Sequence, residues 1–121
     1  MNTDNSEVRQ IEERMKSSSK RLHALAPQVG AAKQVRAYDS DRRKALLARH
    51  VVRHLKLGES ATAADAYARA EDTYNDQLNA LAEQYADAEK TISAWDAEYA
   101  SWESARSLLS WQKETLKQLE G

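Results

Sequence analysis

Between Lys33 and Gly58 the chain carries eight Lys or Arg residues against only Asp39 and Asp41. On a helical wheel Arg36, Arg42, Arg43, Arg49, Arg53 and Lys56 share one side with His50 and His54. Tyr38, Ala45, Ala48, Val51, Val52 and Leu55 gather on the other, so the stretch reads as an amphipathic basic helix. A row of guanidinium groups on a rigid helix can track the phosphates of nucleic acid, which makes Arg42, Arg43, Arg49, Arg53 and Lys56 candidate DNA contacts. The same pattern also describes an ordinary solvated or salt-bridged face. His50 and His54, four apart, have the separation of a metal-binding pair. A zincin motif, however, requires Glu after the first His, where Val51 stands, and no third ligand adjoins them. The expectation is no metal and no cofactor.

Other chemistry is thinly represented. Asp39 and Asp41 do not converge on a helix, and Arg42 and Arg43 sit beside them. No Gly-rich phosphate loop or nucleophile elbow is present, and no Ser or Thr lies next to a credible base. The chain has no Cys, which removes thiolate nucleophiles, thiolate metal sites and disulfides together. A non-enzyme is expected.

The elements that would position these residues are all helical. Ala, Glu, Lys, Leu and Arg make up 62 of 121 residues, while Gly occurs three times and Pro once, too few turn formers for a β-rich domain. The expected fold class is all-α, a single domain forming a long antiparallel helical hairpin or coiled coil with a kinked first arm. Asp4 or Ser6 can cap a first helix over 6–26, with Val8, Ile11, Met15, Leu22 and Leu25 at helical spacing. Pro27 and Gly30 mark a break or kink. The basic helix follows over 28–57, closed by Gly58 in the position of a C-cap glycine. Leu57-Gly58-Glu59-Ser60 turns the chain, and Thr62 with Asp65 resembles a capping box opening a helix over 62–119.

That last helix holds the clearest pattern. Alternating steps of four and three from Tyr74 reach Leu78, Leu81, Tyr85, Ala88, Ile92, Trp95, Tyr99 and Trp102; Arg106 then interrupts the seam, beyond which Leu109, Leu116 and Leu119 keep an apolar edge with Lys113 as a second polar insertion. Aromatic residues at this spacing are more often buried between helices than stacked on bases. Ten carboxylates lie between Asp65 and Glu103 against Arg69 and Lys90, so the net charge of −1 divides into +6 over residues 1–60 and −7 over 61–121. The simplest use of this split is pairing of the halves within or between subunits. One hairpin would leave aromatic seam residues wet, so a homo-oligomer is expected. No apolar stretch reaches the roughly 18 residues of a membrane span, and Met1 to Asn5 is polar, unlike the start of a signal peptide. A cytoplasmic protein with no membrane partner is expected.

Residues 32–112 resemble the small helical phage recombination proteins of the UvsY type, which assist recombinase loading on single-stranded DNA. The resemblance lies in the basic helix with Arg42-Arg43-Lys44-Ala45-Leu46-Leu47-Ala48-Arg49, a Gly-containing turn, Tyr67, and a long acidic-aromatic helix ending Trp-rich. Proteins of that type contact DNA through a Lys and an Arg two apart. The matching stretch here is Leu47-Ala48-Arg49, where Arg49 keeps the charge and Leu47 does not, with Arg53 and Lys56 on the next turn. The resemblance implies an oligomeric assembly in a bacterial host cell. Its implied partners are single-stranded DNA and a recombinase, annealing protein or single-strand-binding protein. The alternative is a structural or adaptor coiled coil whose acidic-aromatic helix docks another protein, such as a host factor inhibited by charge mimicry.

Overall fold

The computed structural model describes residues 2–120, with side chains from Ser6 onward. The described residues are helical almost throughout, in the order α1 (Asn2–Lys56), α2 (Ala61–Ala70) and α3 (Asp72–Glu120), with no strand among them. The protein is all-α. No helix among the described residues is long and apolar enough to cross a membrane.

Two helix boundaries differ from those the sequence predicts. The expected helices over 6–26 and 28–57 are one helix of 55 residues that continues through Pro27 and Gly30. Proline inside a helix forfeits one backbone hydrogen bond, here to the carbonyl of His23. Both residues are exposed, so solvent can take that carbonyl. Ser6 lies within α1 instead of capping it, and the side chain of Asp4 lies outside the described residues. The second difference is a break in the expected helix over 62–119. Glu71 is extended, at φ −71° and ψ 133°, and divides it into α2 and α3.

The turn between α1 and α2 forms a Schellman motif. The N–H of Glu59 donates to the carbonyl of His54 at 3.2 Å and that of Gly58 to Leu55 at 3.0 Å. Gly58 has φ +93°, a conformation glycine reaches without the Cβ penalty. The helix that follows is capped by Ser60, whose hydroxyl accepts from the Ala63 N–H at 3.2 Å, and not by Thr62. Asp65 accepts instead from Arg69, one turn on, at 2.9 Å.

The chain forms two compact units. One holds the described residues through Val29 with those from Thr91, where α1 and α3 run antiparallel. Gln112 donates to Glu7 at 3.4 Å, Arg14 to Ser101 at 3.3 Å, and Arg21 pairs with Glu98 at 2.9 Å. Ser18, fully buried, fills the gap between Met15 and Leu22 in the α1 seam. On α3 the seam does not stop at Arg106. It takes a three-residue step from Trp95 to Glu98 and continues through Trp102, the fully buried Ala105, Leu109, Gln112 and Leu116. A strict seven-residue repeat already drifts by about 20° round a 3.6-residue helix, and the additional three-residue step carries the buried side further the same way. Tyr99 thereby leaves the seam and is 47% exposed.

The other unit, Gly30–Lys90, packs the C-terminal part of α1 against α2 and the start of α3. Its buried residues are Ala32, Leu46 and His50 of α1, Ala64 and Ala68 of α2, and Tyr74 and Ala88 of α3, with Leu78, Leu81 and Tyr85 half-buried. α1 is seated the opposite way round from its apolar moment. Asp39, Arg43, Leu46, His50 and His54 face inward, while Tyr38, Ala45, Ala48, Val52 and Leu55 face solvent. The physical reason is the uninterrupted helix. The seam phase set by Val8 to Ala32 continues in steps of three and four to Asp39, Leu46 and His50.

Candidate functional site

The most concentrated polar geometry is at Glu71. His50, Arg53 and His54 stand at i, i+3 and i+4 on α1, so one turn presents three nitrogen groups to one carboxylate. His50 Nδ1 lies 2.7 Å from Glu71 Oε2, while Arg53 and His54 Nε2 both bond Oε1. The second ring nitrogen of His50 meets Gln77 Oε1 at 2.8 Å. Tyr74 packs edge-on against His50, with ring centroids 5.5 Å apart, and Tyr67 lies tilted against His54 at 5.7 Å.

The Glu71 carboxyl is held at about 2, well below its ordinary 4.5, first by the Arg53 hydrogen bond and then by those of His50 and His54, with desolvation opposing. The broken backbone is satisfied locally. The Asn75 side chain donates to the carbonyls of Arg69 at 3.1 Å and Glu71 at 2.8 Å, and its own N–H donates to Glu71 at 3.0 Å. The arrangement is a latch fastening the α2–α3 junction to α1. His50 and His54 thus belong to an inward polar cluster and not to a solvent-facing basic face. Among the described residues no group of three or more His, Cys, Asp or Glu side chains is placed to hold a metal ion. At the latch, Arg53 already supplies a cation to the carboxylate such a group would need.

The five candidate DNA contacts divide. Arg43 is held by Asp39 at 2.9 Å, one turn back, and Arg53 by Glu71. Arg42, Arg49 and Lys56 have no ion-pair partner among the described residues, and all three are exposed. They stand seven residues apart, a row with a spacing of about 10.5 Å along the helix. Arg42 and Arg49 border a shallow cleft of about 310 Å³ floored by Leu46, Leu81 and Ala80, with Gln77 at its edge. A neighbouring recess of about 180 Å³ lies between Arg49, His50, Arg53 and Gln77. Cations on the rim and aliphatic carbons on the floor suit an anion with a flat apolar part.

The seam residues Tyr74 and Ile92 are buried, and Leu78, Leu81, Tyr85, Trp95 and Trp102 are half-buried, which takes their faces away from stacking on a ligand. Arg106 lies over the Trp102 ring, 5.2 Å from its centroid, and Tyr99 is tilted against the same ring at 6.0 Å. Glu98 is held below its ordinary range, chiefly by Arg21. Sequence reasoning placed Glu71 only within an acidic run. The signal that could have singled it out is His50-x-x-Arg53-His54, three nitrogen groups on one turn that call for a shared acceptor. No family model, no curated protein and no solved structure matches the chain.

Proposed function

We propose that the protein binds single-stranded DNA through Arg42, Arg49 and Lys56 and serves as a non-enzymatic accessory of phage or prophage homologous recombination in the bacterial cytoplasm. It works as a homo-oligomeric helical scaffold that brings DNA to a recombinase, annealing protein or single-strand-binding protein. The observation that carries this reading is the row of three exposed cations at seven-residue spacing, without ion-pair partners among the described residues, beside an amphipathic cleft. Phosphates neutralise the row, and a base fits the aliphatic floor. Arg43 and Arg53 contribute indirectly, since their guanidinium groups are engaged by carboxylates of this chain. The test is anisotropy of a labelled oligonucleotide at low salt with wild type and Arg49→Ala. Binding by the wild type that weakens in the variant supports the reading, and no binding at low salt refutes it.

A second reading, an adaptor that docks another protein through its acidic-aromatic helix, draws on a different surface. Tyr99, Leu108 and Trp111 of α3 are exposed. It predicts a protein partner lost on Trp111→Ser, with oligonucleotide binding unchanged.

A further inference from the structure

The outward side of α1 carries an apolar stripe that none of the described residues covers. Tyr38 is 56%, Val52 45% and Leu55 43% exposed, and Ala45 and Ala48 lie between them. The spacing from Tyr38 through Asp41, Ala45, Ala48 and Val52 to Leu55 alternates three and four, the repeat of a helix seam, over about 26 Å. Arg42, Arg49 and Lys56 follow one border of this stripe at seven-residue intervals. A helix laid on the stripe would therefore meet a line of cations along that edge.

The same unit exposes a matching surface on α3. Asp76 and Glu83, also seven apart, are exposed and have no ion-pair partner among the described residues. Beside them Asn79, Ala82 and Ala86 are small and exposed, which lets large side chains from a facing helix approach closely. The charge split of the chain is thus spent only in part internally. Among the described residues the ion pairs joining α1 to α3 are Arg21 with Glu98 at 2.9 Å and Arg36 with Glu89 at 4.0 Å, while Arg42, Arg49, Asp76 and Glu83 are left over.

We infer that the α1 stripe docks the acidic α3 face of a second copy, with Arg42 and Arg49 of one chain meeting Asp76 and Glu83 of the next. Equal seven-residue intervals let both pairs close in a single register. Stripe against stripe is disfavoured, because the basic row would then face like charge or uncharged positions instead of carboxylates. The contact is heterologous, each chain offering two different surfaces, so it propagates into a ring or a linear array. The assignment rests on the oligomeric reading above and not on the DNA reading. Because the basic row serves both, nucleic acid and the neighbouring copy compete for Arg42 and Arg49.

The test uses the full chain, freed of nucleic acid, in light scattering at low salt, with circular dichroism to verify helicity. The wild type is expected above the mass of one chain. A double variant R42E/R49E, a second double variant D76K/E83K and the stripe variant Val52→Asp are each expected at the mass of one chain. An equimolar mixture of the two charge-reversed variants is expected to recover the wild-type mass, since each then offers what the other lacks. A monomeric wild type overturns this contact together with the oligomeric reading. An oligomer that survives charge reversal overturns the contact alone. Dissociation without recovery on mixing overturns the direct pairing of the two rows.

Discussion

On the proposed reading, the salt dependence of DNA binding counts the cations that are free to act. Of the five candidate DNA contacts on α1 between Arg42 and Lys56, Asp39 holds Arg43 and Glu71 holds Arg53, which leaves three. For single strands the slope of log affinity against log salt is about −0.7 per phosphate neutralised, so three contacts give about −2 and five about −3.5. Between 50 and 200 mM salt the affinity is then expected to fall about 20-fold for three contacts, against more than about 100-fold for five. Removing one contact with Arg49→Ala brings the slope to about −1.4 and the loss to about sevenfold. Fluorescence anisotropy of a labelled oligonucleotide across a salt series measures this, with the protein dilute enough that self-association does not compete. A slope near −3.5, or one unchanged by Arg49→Ala but reduced by Arg43→Ala, would falsify the assignment of free and engaged cations.

Other predictions concern the latch and the scaffold. The Glu71 carboxyl titrates at about 2 in the folded chain against 4.5 ordinarily, so the stability it supplies is complete above about pH 4.5 and drains away as the pH falls towards 2. Thermal midpoints followed by circular dichroism should decline through that window in the wild type, and Glu71→Gln should start lower and lose less; parallel curves would show that Glu71 is not the titrating group. Gly58→Ala should cost about 1 kcal/mol in urea unfolding, because φ +93° strains any Cβ although no atom lies within 4 Å of one there. Ser18→Ala should raise stability by about 1 kcal/mol, since the buried hydroxyl lies near enough to Glu98 to influence its carboxyl yet makes no hydrogen bond of good geometry. A loss of stability in that variant would mean that the hydroxyl and Glu98 are bonded after all.

What could be read from the residues alone, and what could not, separates along physical lines. The seam from Tyr74 to Trp95 was legible because an unbroken repeat of bulky residues determines which side of a helix is buried. Gly58 was legible because few residues tolerate the left-handed region it occupies. The break at Glu71 was not, since no Gly or Pro marks it. Its backbone groups are recaptured by Asn75 and its carboxylate by three side chains some twenty residues earlier, a tertiary arrangement without a local signature. The seating of α1 was hidden for a related reason. A wheel shows that two sides differ, but continuity through Pro27 decided which side turned inward, and it brought His50 and His54 to Glu71 while leaving Val52 and Leu55 in solvent. Of the five expected DNA contacts, charge alone could not tell the three free cations from the two held by carboxylates.

The nesting of one unit within the other along the chain sets an order of events during synthesis. The latch closes loops of 17 to 27 residues, whereas the contacts of the other unit join residues 77 to 105 apart. By loop entropy the longer closures cost about 1 kcal/mol more, and they cannot form until the far partner has left the ribosome. At about 5–20 residues per second, the arm carrying Val8, Ile11 and Met15 waits roughly 5 to 20 s for its partner on α3. During that interval the apolar edge of a newborn N-terminal arm is open to any passing helix, including the same arm of a neighbouring nascent chain on the polysome.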